Sequence, residues 1–188
     1  MAKGAKPVSA AAGVIARLAA KQFGAPAAEI TAKGAAAGAG RSAARQGASV
    51  VSGIPKGFTE RQFARFARGA RQLQRHAGLP DGELVVHGSR VRGTAHPKSD
   101  IDVALRVNDR TFFELSEKAL ARARPGTKLR NSMLRRINGN GQLSSFDLGP
   151  EFQRLRHDLL DPESPHPVQF SVLRKGGKLD TGPFRPLA

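Results

Sequence analysis

A chain of 188 residues with a net charge of +16 and no cysteine has room for one domain with a modest core. It can form no disulfide and can offer no thiolate to a metal. There is no run of about twenty apolar residues, which excludes a transmembrane helix, and Val8 to Ala20 is too rich in small residues, and too interrupted by Gly13 and Arg17, to serve as a signal-peptide core. So large a charge points to a polyanionic partner, nucleic acid above all, although an Arg- and Ala-rich proteome would also raise it.

Residues 1–57 are dominated by Ala and Gly, with Glu29 as their only acid. Large side chains for a core are nearly absent, so this stretch reads as a linker or a fragmentary helical leader. The expected folded domain is 58–188. It begins with Phe63, Phe66, Ala67, Ala70 and Leu73 at helical spacing, and with Arg61, Arg65, Arg68, Arg71 and Arg75 on other faces as a solvated surface. The turn Gly78-Leu79-Pro80-Asp81-Gly82 feeds a first strand, 84–87. A polar loop, 88–99, leads to a second strand, 101–107. Asn108-Asp109 caps a helix from Arg110 to Arg124 that Pro125-Gly126 stops. A helix from Lys128 to Ile137 ends in Asn138-Gly139-Asn140-Gly141, and another spans Gly149 to Leu160. The last strand is Val168 to Leu173, followed by a Gly176-Gly177 turn and an irregular tail in which Asp180 reads as a turn former. The fold class expected is α+β: a small sheet of three or more strands flanked by helices.

The chemistry concentrates in 84–107. Asp100 and Asp102 stand one residue apart at the start of a strand, so their carboxylates share a face while Ile101 and Val103 turn to a core. Paired carboxylates held on a strand suit a hard divalent cation, Mg²⁺ or Mn²⁺, whose other positions phosphate oxygens fill. Gly88 permits close backbone approach to a ligand, and Ser89 adds a hydroxyl and an N–H. Arg90 and Arg92 can clamp a triphosphate, or be ordinary surface arginines in an Arg-rich chain. A hairpin with solvated aspartates would explain the turn residues but not why both acids share a face beside an apolar strand. The pattern suggests metal-assisted phosphoryl or nucleotidyl transfer from an NTP.

Gly88-Ser89, then Arg90 to Ser99, then Asp100-Ile101-Asp102 resembles the signature of the DNA polymerase β-like nucleotidyltransferase superfamily, its minimal members in particular. The resemblance extends over 58–188. Val168 to Leu187 is similar to the end of nucleotidyltransferase toxin domains, which follow a low-complexity region at the C-terminus of bacterial polymorphic toxins. It implies Asp100 and Asp102 as catalytic metal ligands and Gly88, Ser89, Arg90 and Arg92 as nucleotide-binding residues. It also implies a secreted or delivered effector, acting in a target-cell cytoplasm and accompanied by an immunity protein. One departure stands out. The superfamily's third carboxylate falls where this chain has Gln169, whose carbonyl oxygen can coordinate but brings no charge. Either another acid (Asp147, Glu151, Asp158 or Asp161) reaches the site, or one metal suffices with a histidine base (His87, His96 or His166), or the domain mainly binds.

Three functions are therefore expected in competition. The first is transfer of a nucleoside monophosphate to RNA such as a tRNA 3′ end. The second is protein nucleotidylation (AMPylation), of toxin or antitoxin type. The third is nucleic-acid binding on a degenerate fold.

Overall fold

The computed structural model describes residues 49–187, and the leader reading of 1–48 lies outside them. The chain order is α1 (Glu60–His76), β1 (Glu83–His87), a single helical turn α2 (Ser89–Arg92), β2 (Ile101–Val107), α3 (Asp109–Ala121), α4 (Lys128–Asn140) and β3 (Gln142–Ser144). A 3₁₀ turn (Ser145–Leu148), α5 (Pro150–Leu159), a second 3₁₀ turn (Asp161–Glu163), β4 (Val168–Arg174) and β5 (Arg185–Pro186) complete it. The strands make one mixed sheet in the order β3-β4-β2-β1-β5. β1 runs antiparallel to β2 and β5, β3 antiparallel to β4, and β2 parallel to β4. The fold is α+β, as the pattern of elements implies.

Helix starts follow local chemistry. Thr59 and Gln62 form a reciprocal capping box on α1, Asn108 accepts from the Thr111 N–H on α3, and Thr127 accepts from the Arg130 N–H on α4. Each such cap satisfies an otherwise orphan donor and contributes about 1 kcal/mol. Strand alternation then divides the sheet into two faces. Leu84, Val86, Ile101, Val103, Leu105, Phe170 and Val172 turn to one face, where they pack with Phe66, Leu73, Phe112, Ile137 and Phe152 of the helices. On that layer Gly69 is required by close approach, because a Cβ there would overlap the Leu159 carbonyl oxygen of α5.

The opposite face carries Val85, Ala104 and Leu173, which Phe184 of the C-terminal segment covers. Beside them lies Arg106, buried at 8% exposure. Its Nε meets Asp180 Oδ1 at 2.5 Å, a second nitrogen meets Asp180 Oδ2 at 2.9 Å, a third reaches Glu83 at 2.5 Å, and the guanidinium lies 4.0 Å from the Phe184 ring centroid. Asp180 also accepts from the Gly176 N–H at 2.9 Å, so the expected turn role is joined by a buried ion pair. Burial pushes its carboxyl up, but the hydrogen bonds and charges of Arg106, Gly176 and Lys175 outweigh that and hold it below the ordinary range.

Two strands absent from the sequence-based expectation, β3 and β5, sit at the two edges. Residues 49–57, on the leader side of the expected boundary, bond to the folded elements. Val51 donates to the Phe184 carbonyl at 2.9 Å, Phe184 donates to Ser49 at 2.8 Å, and Lys56 donates to Arg90 at 3.1 Å. Residues 49–57 are thus part of the fold, because they satisfy backbone groups of the C-terminal segment and of α2.

Candidate active site

The site lies on the less covered face, at the end of the sheet where β1 finishes and β2 and β4 begin. Register puts His87 of β1 beside Asp102 of β2, and Asp102 beside Gln169 of β4. Directly paired residues project to the same side, so these three side chains form one row. Asp100 stands next to the row, since the Gln169 amide donates to its carboxylate. Gly88 has φ 77° and ψ −155°, and a Cβ there would overlap the Asp102 carboxylate. Only glycine lets the chain leave β1 against that carboxylate, and Ser89 then opens α2.

The electrostatics are those of two like charges in a partly dry place. Burial and the neighbouring Asp100 charge push Asp102 up to about 6, against the pull of Arg92. Burial, with the charges of Arg92 and Arg106, lowers His87 to about 4, with Asp180 opposing, so its imidazole is neutral near pH 7. Arg92 therefore acts on both residues from an exposed position. Arg90 does not share that role. It is 3% exposed, and its guanidinium donates to the carbonyls of Asp100 at 3.1 Å, of Lys56 at 2.8 Å and of Ser99. It is a buried tie that holds the loop before Asp100, so the clamp expected of it is corrected to a positioning contact.

The alternative acids do not join the row. Asp147 accepts from the Ser144 N–H and hydroxyl at 2.8 and 2.9 Å and pairs with Arg136 at 2.6 Å. Asp161 pairs with Arg156 at 2.8 Å and lies 3.0 Å from His157. Glu151 lines a different cleft with His76 and Lys118, and Asp158 is exposed. Among the described residues no group of three His, Asp or Glu side chains is arranged to hold a metal ion. Of the histidines, His87 faces the row, His96 sits exposed in the loop, and His166 lies near Gly57 beside Arg90.

A cleft of about 330 Å³ opens beside the row, from His87 and Asp102 past Gln169 and Ser171 to Ser144 and Phe146. Sequence reasoning missed it, because β3 and the following turn carry no motif. The donor set fits a divalent cation: two adjacent carboxylates on one face, one of them raised by burial and by its neighbour's charge, and a glycine that leaves room for the Asp102 carboxylate.

Residues 66–133 match the family model of the nucleotidyltransferase domain. Over this stretch the chain is similar to a nucleotidyltransferase domain. The matched stretch includes Gly88, Ser89, Asp100 and Asp102, and ends before Gln169. Domains of this family transfer a nucleoside monophosphate from an NTP and use divalent metal ions, so the activity class is nucleotidyl transfer. Neither the curated proteins nor the solved structures returned a match. No helix of the described residues is long and apolar enough to cross a membrane.

Proposed function

We propose that this nucleotidyltransferase moves a nucleoside monophosphate from an NTP to the 3′ hydroxyl of an RNA, a tRNA end being the natural acceptor. The observation that carries the reading is the Asp100–Asp102 pair, Asp102 in register with Gln169 and Asp100 accepting from its amide, set against the Gly88 turn. The net charge of +16 supports a polyanionic acceptor over a protein one. Asp100 and Asp102 would hold Mg²⁺, which when bound neutralises the phosphate oxygens and orients the donor. Arg92, exposed and close enough to bias both His87 and Asp102, meets the triphosphate. The acceptor oxygen bonds to the α-phosphorus as the bond to the β-phosphate bridging oxygen breaks, and pyrophosphate leaves with that electron pair. The hydroxyl proton leaves to solvent through the open cleft beside the row.

The resemblance of 168–187 to toxin-domain ends, with the Ala- and Gly-rich leader, supports delivery as an effector into a target-cell cytoplasm and a cognate immunity protein. A second reading, a binding module on a degenerate site, is favoured by one observation: an uncharged Gln169 where the superfamily has a carboxylate. Labelled NTPs, Mg²⁺ and total RNA or lysate separate these readings by where label goes. Asp100→Ala and Asp102→Ala should each abolish transfer, while circular dichroism shows the fold kept. Label on RNA that survives both substitutions overturns the proposal.

A further inference from the structure

We infer that the cleft on the Gln169 side of the carboxylates receives the acceptor, and that Phe146 is the platform on which its terminal unpaired base stacks. The inference rests on the RNA-acceptor reading and deepens it. Across this end of the sheet the Gly88 turn and Arg92 follow β1, on one side of Asp102, whereas Gln169 belongs to β4, on the other. In phosphoryl-type transfer the attacking and leaving oxygens lie roughly in line, on opposite sides of the phosphorus. A triphosphate on the Gly88–Arg92 side therefore leaves the β4 side for the incoming hydroxyl. The cleft of about 330 Å³ opens there, within the size range of small-ligand pockets.

Its lining suits an unpaired nucleoside. Phe146 is 80% exposed, so its ring contributes little to the core. Its neighbours Ser145 and Asp147 are buried, and Asp147 is locked by Ser144 and Arg136. The turn thus presents an aromatic face in a fixed position at low ordering cost, as single-stranded RNA recognition by stacking requires. Gln153 and Arg156 line the same cleft and bring an amide and a guanidinium to it, groups that can donate to a base edge or ribose oxygen.

The chain contains no Trp and no Tyr, so Phe146→Trp introduces a single fluorescent reporter. A short single-stranded RNA with a free 3′ hydroxyl should quench its emission saturably, while NTP with Mg²⁺ should not. In steady-state labelling, Phe146→Ala should raise the KM for that RNA by roughly 5- to 150-fold and leave the KM for NTP within about twofold. Quenching by NTP with a raised NTP KM would assign the cleft to the donor base and overturn the inference. An unchanged RNA KM in a protein that still labels RNA would overturn it alone, leaving the acceptor class intact. Wild-type protein that labels polypeptide and not RNA would overturn the acceptor reading and this inference together.

Discussion

Gly88→Ala tests the geometry of the site more directly than removal of either aspartate. At φ 77° and ψ −155° a residue with a Cβ is strained by about 1–3 kcal/mol. The added methyl would also overlap the Asp102 carboxylate, which must retreat by roughly 1 Å to restore ordinary contact. A misplacement of that size at reacting groups costs about 10²-fold in rate, so turnover should fall at least that far while melting temperature drops only a few degrees. Gly69→Ala is the matched control. Its Cβ meets the Leu159 carbonyl and overpacks the helix layer by about 1–3 kcal/mol, on the sheet face away from the carboxylates. It should lose comparable stability and keep turnover per folded molecule. Labelled-NTP transfer and thermal melts on both variants decide the matter. Gly88→Ala retaining activity within a few-fold would refute the placement of Asp102, and equal losses in both variants would reduce the effect to stability.

Gln169→Asp should lower the Mg²⁺ concentration needed for half-maximal transfer by about tenfold, since a third carboxylate joins two and no other acid fills the position. An unchanged Mg²⁺ titration would mean that residue 169 does not face the metal. Asp180→Asn leaves Arg106 buried with Glu83 as its remaining carboxylate partner, and should cost about 3–5 kcal/mol, or roughly 10 °C in Tm, near pH 7. Because the folded Asp180 pKa lies below its ordinary value, its contribution is complete above the unfolded pKa of about 4 and is lost as pH falls through the folded value. The Tm gap between wild type and variant should therefore close in acid, and a gap constant from pH 7 to pH 2.5 would refute the pairing. A chain starting at Phe58 should be less stable than one starting at Ala48 by about 3 kcal/mol, from the three backbone hydrogen bonds of 49–57 and the Lys56 carbonyl held by Arg90. Equal urea midpoints would show that those contacts contribute nothing.

Elements whose pattern repeats locally were legible in the sequence. Strand 101–107 was found at its observed bounds, and α1 by its apolar face from Phe63 to Leu73, because each buries a periodic face. Gln142–Ser144 and Arg185–Pro186 were not, since two or three residues hold no period and become strands only by pairing with β4 and β1. Arg90 shows the same limit at the level of a side chain. An arginine that ties distant carbonyls, Lys56 among them, reads locally like one that clamps phosphate. The cleft and Phe146 were hidden for that reason too, because the cleft exists only once β3 has joined the sheet.

The placement of Gln169 joins sequence, fold and chemistry. Parallel pairing of β2 with β4 fixes residue 169 opposite Asp102, and the period of two along a strand then turns its side chain to the carboxylate face. A slip of one residue would put Phe170 there and bury an amide among the helices. That is excluded by the packing of Phe170 on Phe152 at 5.0 Å. The position of this amide is therefore fixed by the core and not by a loose loop. The amide donates to Asp100, tying down one carboxylate of a like-charged pair without adding a third charge. The row carries two carboxylates and no third on its β4 side, where the cleft opens. Register thus places residue 169 on the carboxylate face, and the addition of β3 beside β4 forms the cleft next to it.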